Sequence, residues 1–332
     1  MNATLAQVAA ELHARDDFLV VTHMRPDADA TGSQLALGAA LENAGKKVTY
    51  WSSDPVPEKF FFLPGWRKVV VPLQEASFQT VVSVDCASFE RLGRMRHLIA
   101  RLRKDPAQGP EPFFVNLDHH VSNTLFADLN CMDFSSPASG QIVYELLGEA
   151  GFPLTLDIAT CLYAAISTDT GSFQYPNTTS KTMRVVAELM ETGLKVGQLN
   201  QFIYESFPLR RLKLLKEVLA TVSFEDGDRV AWFKITREMY VRSGAKPEDN
   251  ENFIDVIRSV RPVMVAILFE EEEGGLVRLS LRSKDPQVVD VNGVAQQFGG
   301  GGHAAAAGAR PSGTLDEIIP RVLAAVSDRL KG

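Results

Sequence analysis

The amino-acid sequence predicts an α/β protein of two domains: a mostly parallel sheet with helices on both faces, followed by a smaller α+β domain. Three observations carry this prediction. The 332 residues amount to about twice the usual length of one domain. In the first half, short apolar runs alternate with helical patterns, as is typical of βαβ units. In the second half, apolar runs occur in pairs around turns, which indicates hairpins.

The elements of the first half follow from their patterning. Apolar runs that stop at polar residues predict strands at residues 18–22, 47–51, 80–84 and 113–117. Helical spacing predicts helices at residues 32–44, 138–149 and 156–166. Strands that alternate with helices favour parallel pairing, with helices covering both faces of the sheet. The segment 105–112 carries the turn residues of a surface loop.

The second half begins with a change of pattern. A helical segment at residues 181–218, broken near Gly193 and Pro208, is predicted to be a connector. Runs at 219–224 and 230–235 then flank a turn at 225–228, and runs at 263–269 and 277–282 flank an acidic turn at 270–275. Helices are predicted at 291–298 and at the alanine-rich 304–307. We therefore expect a first domain at 1–192, a connector at 193–217 and a second domain at 218–332.

Composition and charge exclude several classes of protein. Hydrophobic residues make up 45% and charged residues 23%, the balance of a globular chain and not of a disordered or coiled-coil one. The longest apolar run is far below the ~20 residues that cross a bilayer, and the N-terminal residues lack a signal-peptide pattern. Three distant cysteines without a CxxC motif indicate neither a disulfide framework nor a cysteine zinc site. These features predict a cytoplasmic protein.

The net charge of −7 bears on the ligand. It argues against a protein that coats long nucleic acid, whose affinity would come from many phosphate contacts. A small anionic substrate held in a local pocket remains compatible with it.

Four segments place aspartate or histidine directly after an apolar stretch. They contribute His23, Asp27 and Asp29; Asp85; Asp118, His119 and His120; and Asp169. Each has an ordinary explanation when taken alone, as a turn former, a helix cap or a histidine pair in a solvated loop. Because the carboxyl ends of parallel strands meet at one edge, we expect the four loops to converge.

Carboxylates packed so closely would repel one another unless a cation neutralised them. Two divalent ions about 3.5–4 Å apart, bridged by one shared carboxylate, would do so. A ligand set of oxygen and imidazole nitrogen, without thiolate, suits Mn²⁺, or Mg²⁺ less well, and not a structural zinc. The combination predicts a two-metal centre.

With these motifs the sequence resembles the DHH phosphoesterase superfamily. The similarity rests on HMRPDADATGS, VVSVDCAS, NLDHHVSN and STDTGSF, and on VRLSLRS and FGGGGHAAAAG in the second half. It spans roughly residues 15–310 in the family's order. The similarity is greatest to stand-alone members that join a DHH domain to a substrate-binding DHHA1 domain across a cleft. These are nano-RNases that also dephosphorylate 3′-phosphoadenosine 5′-phosphate (pAp).

The resemblance implies a role for each acidic or histidine residue. One metal would be held by His23, Asp27 and Asp85, and the other by Asp29, Asp85, His119 and Asp169. Asp85 would bridge the two ions, His120 would face the scissile phosphate, and Asp118 would orient the histidine pair. Ala28 departs from the glycine found in many relatives, a change that leaves the ligands intact.

The glycine-rich loop and a nearby arginine form the candidate substrate site of the DHHA1 domain. Gly300, Gly301 and Gly302 would let backbone N–H groups approach a phosphate. His303, at the start of the predicted alanine-rich helix, would add a donor. Arg282, next to Ser283, offers a planar fork for phosphate, and Arg258 is a second candidate of that kind. The ordinary alternatives are a flexible linker and surface charges. A dinucleotide-binding fingerprint is excluded because the glycines follow a helix and not a strand.

The implied function is a two-metal phosphodiesterase and phosphatase. It would hydrolyse oligoribonucleotides of two to five nucleotides to mononucleotides and remove the 3′-phosphate of pAp. The implied partners are these substrates and a second copy of the chain in a homodimer, with no membrane and no long duplex nucleic acid. Alternatives are a cyclic or linear dinucleotide phosphodiesterase (c-di-AMP, pApA, pGpG), an inorganic pyrophosphatase of the same superfamily, and a non-catalytic nucleotide- or RNA-binding module with a relic metal site.

Overall fold

The structure, a computed structural model, describes residues 2–71, 78–103 and 111–331. The chain divides into two compact units, Met1–Ser206 and Phe207–Gly332. The division falls inside the predicted connector. Most of the predicted surface loop at 105–112 lies outside the described residues. Within the described ranges, no helix is both long and apolar enough to span a membrane.

The first unit is built on a parallel sheet. Its six strands within the described residues are β1 (Phe18–Val21), β2 (Val48–Trp51), β3 (Val69–Val70), β4 (Thr80–Val84), β5 (Phe113–Asp118) and β6 (Leu129–Met132). They lie in the order β3-β2-β1-β4-β5-β6, and every neighbouring pair is parallel. The predicted parallel sheet is thus confirmed. The sequence missed β3, which has two residues, and β6, whose Asn130 interrupts a run of only four residues.

Helices cover both faces of this sheet, as predicted. They are α1 (Leu5–Ala14), α2 (Ala28–Asn43), α3 (Met95–Leu102), α4 (Ser139–Glu149), α5 (Leu156–Asp169), α6 (Ser180–Glu191) and α7 (Val196–Tyr204). Neighbouring residues of one strand face opposite sides, so Val20 and Val82 join the core under α2, α4 and α5. Leu19 and Val81 pack with α3 on the other side. Both faces of the central strands are therefore largely apolar, which is the pattern from which β1, β2, β4 and β5 were predicted.

Helices α2 and α5 cross closely because Gly32 has no side chain. A Cβ atom at Gly32 would lie 2.5 Å from the carbonyl oxygen of Cys161 and 3.2 Å from the Cβ of Ala165. The contact brings the beginning of α2 next to the end of α5. Two of the predicted ligands, Asp29 and Asp169, lie at these two helix ends.

The second unit contains a mixed sheet. Its six strands within the described residues are β7 (Ser223–Glu225), β8 (Val230–Ile235), β9 (Val265–Glu272), β10 (Leu276–Ser283), β11 (Gly301–His303) and β12 (Ala306–Ala309). They lie in the order β11-β12-β10-β9-β8-β7, with β8 and β9 parallel and the other neighbours antiparallel. Its helices are α8 (Leu209–Leu219), α9 (Arg237–Ser243), α10 (Phe253–Arg258), α11 (Val291–Gln297) and α12 (Leu315–Lys331). Two separate apolar cores pack on the two faces, and the predicted α+β class is confirmed.

Both predicted hairpins form, but with shifted bounds. Residues 219–224 were predicted as a strand, whereas α8 runs through Leu219 and β7 begins only at Ser223. The acidic turn predicted at 270–275 is shorter, because β9 continues through Glu272. Glu270 is buried in this strand. Its carboxylate forms an ion pair with Arg278 of the neighbouring strand β10 at 3.0 Å, which compensates the buried charge.

The alanine-rich helix predicted at 304–307 is wrong. Residues 301–309 form the antiparallel hairpin of β11 and β12 instead, and β12 pairs with β10. Sheet pairing with a central strand outweighs the helix propensity of four alanines, a weak preference over so short a stretch. His303 therefore ends a strand and does not lie at a helix N-terminus.

Candidate metal centre

The predicted ligands meet at the C-terminal edge of the parallel sheet. His23 and Asp27 follow β1, Asp85 follows β4, and Asp118 ends β5. The chain order reverses between β1 and β4, since β2 and β3 lie on one side of β1 and β4 to β6 on the other. Open α/β sheets bind their ligands at such a reversal.

One of the four segments does not follow a strand. Asp169 is the last residue of helix α5, so the prediction of a strand-end loop there is wrong. The apolar stretch before it is the predicted helix, which runs three residues further than expected. Asp29 lies inside the first turn of α2, and Asp27 is the N-cap residue of that helix, where its carboxylate accepts the Ala30 N–H at 3.0 Å.

The first group of donor atoms consists of His23, Asp27 and Asp85. Nε2 of His23 lies 3.4 Å from Oδ2 of Asp85 and 4.0 Å from Oδ2 of Asp27. Nδ1 of His23 donates to the carbonyl oxygen of Met24 at 2.8 Å. That bond leaves Nε2 directed at the two carboxylates.

The second group consists of Asp29, His119 and Asp169. Nε2 of His119 lies 3.8 Å from Asp29 Oδ2 and 3.4 Å from Asp169 Oδ2. It also lies 3.5 Å from Oδ1 of Asp85. Nδ1 of His119 donates to the carbonyl oxygen of Ser136 at 3.2 Å. The two oxygens of Asp85 therefore face different groups, Oδ2 the first and Oδ1 the second.

Helix α4 holds Asp29 with its first backbone amides. Oδ2 of Asp29 accepts the N–H of Ser139 at 2.7 Å, and Oδ1 accepts the N–H of Gly140 at 2.8 Å and the hydroxyl of Ser33 at 3.0 Å. The hydroxyl of Ser139 donates to Asp85 Oδ1 at 3.0 Å. Sequence reasoning missed Ser139 and Gly140, because a backbone donor has no residue-type signature beyond the start of a predicted helix.

The centre concentrates negative charge in a buried place. Burial, together with the carboxylates of Asp85 and Asp169, raises the pKa of Asp29 well above its ordinary value, although the bonds from α4 favour ionisation. Burial likewise raises the pKa of Asp169 to about 7. Burial also acts against ionised Asp85, but hydrogen bonds from His119 and His23 outweigh it and hold that pKa well below its usual range.

The histidines compensate part of this charge. Burial disfavours the protonated form of His119, but its hydrogen bond to Asp85 and the nearby Asp29 outweigh burial and raise its pKa to about 10. The cluster thus retains protons as long as no other cation neutralises the carboxylates. A divalent ion would take the place of these protons.

The residues fit divalent cations. In each group the donor atoms lie within 4.8 Å of one another, and all are carboxylate oxygens or imidazole nitrogens. Histidines that bind metals usually donate the other ring N–H to a carbonyl or carboxylate, as His23 and His119 do here. The donor set suits a cation of the Mg²⁺ or Mn²⁺ type.

His120 has a different environment from the two other histidines. Its Nδ1 donates to Oδ1 of Asp118 at 2.7 Å, and the ring is 29% exposed. Burial lowers the pKa of His120, but the bond to the fully buried Asp118 outweighs it and raises that pKa overall. Asp118 therefore orients His120 alone, whereas the carbonyl of Ser136 orients His119.

Strained backbone accompanies the centre. Asp85, Ser172 and Phe173 have φ angles of 56°, 59° and 65°, in the left-handed region that non-glycine residues rarely adopt. Asp85 belongs to the first group and faces His119 of the second, and the two other residues follow Asp169 closely. Such conformations cost about 1–3 kcal/mol each and cluster at functional sites.

In the second unit, strand pairing brings two of the predicted substrate residues together. Ala306 of β12 pairs with Arg282 of β10 on one side and with His303 of β11 on the other. Arg282 and His303 therefore lie on the same face of the sheet, about 10 Å apart. Ser283 lies on the opposite face of β10, where its hydroxyl is buried without a partner among the described residues. Arg258 is bound to Asp255 of its own helix at 2.8 Å.

The glycines at 300 and 302 have a structural reason. A Cβ atom at Gly300 would lie 2.1 Å from the carbonyl oxygen of Gly308, and one at Gly302 would lie 2.5 Å from that of Ala306. Close approach within the hairpin therefore requires both. Gly301 is exposed, and a Cβ atom there would meet only Asn292 at 3.7 Å. Of the three, Gly301 is the position at which a Cβ atom would meet no backbone of the hairpin.

Two family models match the chain. The N-terminal domain of the DHH family matches residues 17–166, and the DHHA1 domain matches residues 233–332. The chain therefore belongs to the DHH phosphoesterase family, to members in which a DHHA1 domain follows the DHH domain, as the motifs predicted.

Among curated relatives, the chain is 35% identical to the bifunctional oligoribonuclease and PAP phosphatase NrnA of Thermus thermophilus, covering 94% of this chain and 89% of the relative. It is 29% identical to the protein of the same description from Bacillus subtilis, with 89% of each chain covered. An exopolyphosphatase-related protein from Bacteroides fragilis has the same fold, with a TM-score of 0.90, 22% identity, and 98% and 96% of the two chains covered. Exonuclease RecJ bound to manganese superposes with a TM-score of 0.52 at 16% identity, with 100% and 95% covered.

Proposed function

We propose that this protein is a two-metal phosphodiesterase and phosphatase. Its substrates would be oligoribonucleotides of two to five nucleotides, hydrolysed to mononucleotides, and pAp, which would lose its 3′-phosphate. The observation that carries the proposal is the position of Asp85, whose two carboxylate oxygens lie 3.4 Å and 3.5 Å from the Nε2 atoms of His23 and His119. The names of the curated relatives support the choice of substrates.

Two divalent ions, Mn²⁺ in preference to Mg²⁺, would be held by His23, Asp27 and Asp85, and by Asp29, Asp85, His119 and Asp169. When bound, such ions activate a water molecule and stabilise the charge that develops on phosphate oxygens. Asp85 would belong to both sets.

The chain's own groups would contribute in three ways. Helix α4 holds Asp29 through two amides, so that this ligand keeps its place while the substrate changes. Asp118 fixes Nδ1 of His120 and leaves Nε2 free to donate a proton to a phosphate oxygen. The raised pKa of His120 favours the protonated ring that such donation requires.

The second unit would supply recognition. Arg282 and His303 would hold a phosphate or a base of the substrate away from the scissile bond, above the small side chain of Ala306. Gly301 would add its backbone N–H. With so few positive groups and a net charge of −7, longer strands would gain little further binding.

A substrate panel tests the proposal. The full-length protein with Mn²⁺ would be offered pAp, pApA, pGpG, c-di-AMP, pyrophosphate and RNAs of 2 to 24 nucleotides at one salt concentration. We expect hydrolysis of pAp, of linear dinucleotides and of the shortest RNAs, with kcat/KM falling with length. Turnover of c-di-AMP alone, or of pyrophosphate alone, would replace the proposal by the corresponding alternative. Binding without turnover of any nucleotide would favour the non-catalytic module.

Light scattering of the same sample tests the proposed homodimer.

A further inference from the structure

The side-chain amide of Asn123 occupies a junction beside His120. Its Nδ2 donates to Oδ2 of Asp118 at 2.6 Å and to the carbonyl oxygen of Cys86 at 3.1 Å. Its Oδ1 accepts the backbone N–H of Leu125 at 2.7 Å. Two acceptors face the nitrogen and one donor faces the oxygen, so only one orientation of the amide satisfies all three partners.

Asn123 completes the environment of Asp118. One oxygen of this fully buried carboxylate takes Nδ1 of His120, and the other takes the amide of Asn123. A buried carboxylate has lost its hydration, so hydrogen-bond donors on both oxygens are needed to replace it and to hold the group in place. Without Asn123, Oδ2 would lose this donor, and the carboxylate would be free to turn away from His120.

The same side chain joins two loops of the centre. Cys86 directly follows Asp85, and the backbone N–H of Thr124 donates to the carbonyl oxygen of Ala87 at 2.9 Å. The backbone N–H of Asn123 donates to the carbonyl oxygen of His120 at 3.1 Å and closes the turn between them. Leu125, with φ of 53°, is held in its strained conformation partly by Asn123 Oδ1. The Asn123 side chain and the bond from Thr124 to Ala87 together hold the loop of Asp85 and the loop of His120 in register.

We propose that Asn123 is a positioning residue, which acts through Asp118 to fix the ring of His120 toward the substrate phosphate. This inference rests on the proposed function, since it assumes that His120 acts on that phosphate. It concerns a residue that would touch neither metal nor substrate.

The isosteric variant N123D tests the inference, because a carboxylate keeps the shape of the amide but cannot donate to Asp118 or Cys86. S122D adds the same charge at the neighbouring exposed residue and serves as the control. For pApA with saturating Mn²⁺, we expect kcat of N123D to fall about 10- to 100-fold with little change in KM, as is usual when an outer partner of a site is lost. S122D should keep the wild-type kcat, and the Mn²⁺ affinity of N123D, measured by calorimetry, should also be unchanged.

A double-mutant cycle separates positioning from a merely structural role. If Asn123 acts through Asp118, N123A should cost no further activity in a D118A background. The inference would be overturned if the loss of activity in the double variant equalled the product of the losses in the two single variants. A wild-type kcat in N123D would also overturn it.

A second measurement needs no turnover. In ¹⁵N-labelled, metal-free protein, the Nδ1 proton of His120, assigned by its absence in H120Q, should be seen in the wild type and S122D and be lost or strongly shifted in N123D. An unchanged signal in N123D would contradict the inference. If the signal behaves as expected while the wild type hydrolyses no nucleotide, the proposed function fails and the positioning of His120 by Asn123 stands.

Discussion

Ser139 donates its backbone N–H to Asp29 at 2.7 Å, so that the first turn of helix α4 holds a buried carboxylate of the metal centre. The hydroxyl of the same residue reaches Asp85 at 3.0 Å. One residue thus contacts Asp29 of the second donor group and Asp85, whose two oxygens face the two groups. Because the amide belongs to the backbone, mutation can separate the two contacts by removing the hydroxyl alone.

The variant S139A should weaken metal binding without unfolding the protein. The substitution removes the hydroxyl bond to Asp85 and retains the amide bond to Asp29. Loss of a residue that hydrogen-bonds a metal ligand usually lowers metal affinity about 10- to 100-fold. Because one of the two bonds remains, we expect the apparent Mn²⁺ affinity of S139A to fall about 10-fold. Calorimetric titration of the metal-free protein measures this. S135A, in the same loop but exposed, is the control. Unchanged Mn²⁺ affinity in S139A would mean that the hydroxyl has no part in holding Asp85.

The variant D85A should abolish hydrolysis of all substrates and reduce the bound metal. Asp85 is proposed to ligate both ions, and its removal takes away the carboxylate whose oxygens lie 3.4 Å from His23 Nε2 and 3.5 Å from His119 Nε2. Wild-type protein should gain thermal stability when Mn²⁺ is added after chelation, by about 2.7 kcal/mol at a hundredfold excess over Kd. D85A should lose most of that gain. D157A, an exposed aspartate at the start of α5, removes the same charge as a control. Near-wild-type turnover in D85A would contradict the two-metal proposal.

Two glycine variants test the close packing that supports the centre. In G32A, the new Cβ would lie 2.5 Å from the carbonyl oxygen of Cys161, so we expect the free energy of unfolding to fall by about 1–3 kcal/mol. Gly148 lies inside helix α4 with nothing near its Cβ position. G148A should therefore leave stability unchanged or raise it by up to about 1 kcal/mol. Urea unfolding followed by circular dichroism measures both. Equal stability of the two variants would show that α2 and α5 separate at little cost.

The sequence predicted all of the acidic and histidine residues of the centre, but the strand-end rule explains only those that follow apolar strands. Asp85 and Asp118 come directly after β4 and at the end of β5, and the rule that strand ends share an edge brings them together. The apolar runs identify these strands clearly, because helices cover both faces of the sheet. In β4, for example, all five residues are buried.

The rest depends on contacts that no pattern encodes. Asp169 reaches the centre because Gly32 lets α5 approach α2, a property of two helices far apart in the chain. The amides of Ser139 and Gly140 act through backbone, which every residue carries. The alanine-rich stretch becomes a strand only because β10 offers it hydrogen bonds. Tertiary context decides such cases against local preference.

The last prediction concerns recognition by the second unit. If Arg282 holds the substrate and takes no part in the chemistry, R282A should raise KM for pApA and leave the rate on bis-p-nitrophenyl phosphate nearly unchanged, since that diester carries no second phosphate for the arginine. Loss of a charge-assisted bond to phosphate is worth about 1.5–3 kcal/mol, which corresponds to a rise in KM of about 10- to 150-fold. R310A removes the same charge just beyond β12, where Arg310 pairs with Glu272 at 3.1 Å, and should leave both substrates unaffected. Steady-state kinetics with Mn²⁺ on the three proteins decides the question. Equal losses on both substrates would assign Arg282 to the fold or to the metal centre and would remove it from recognition.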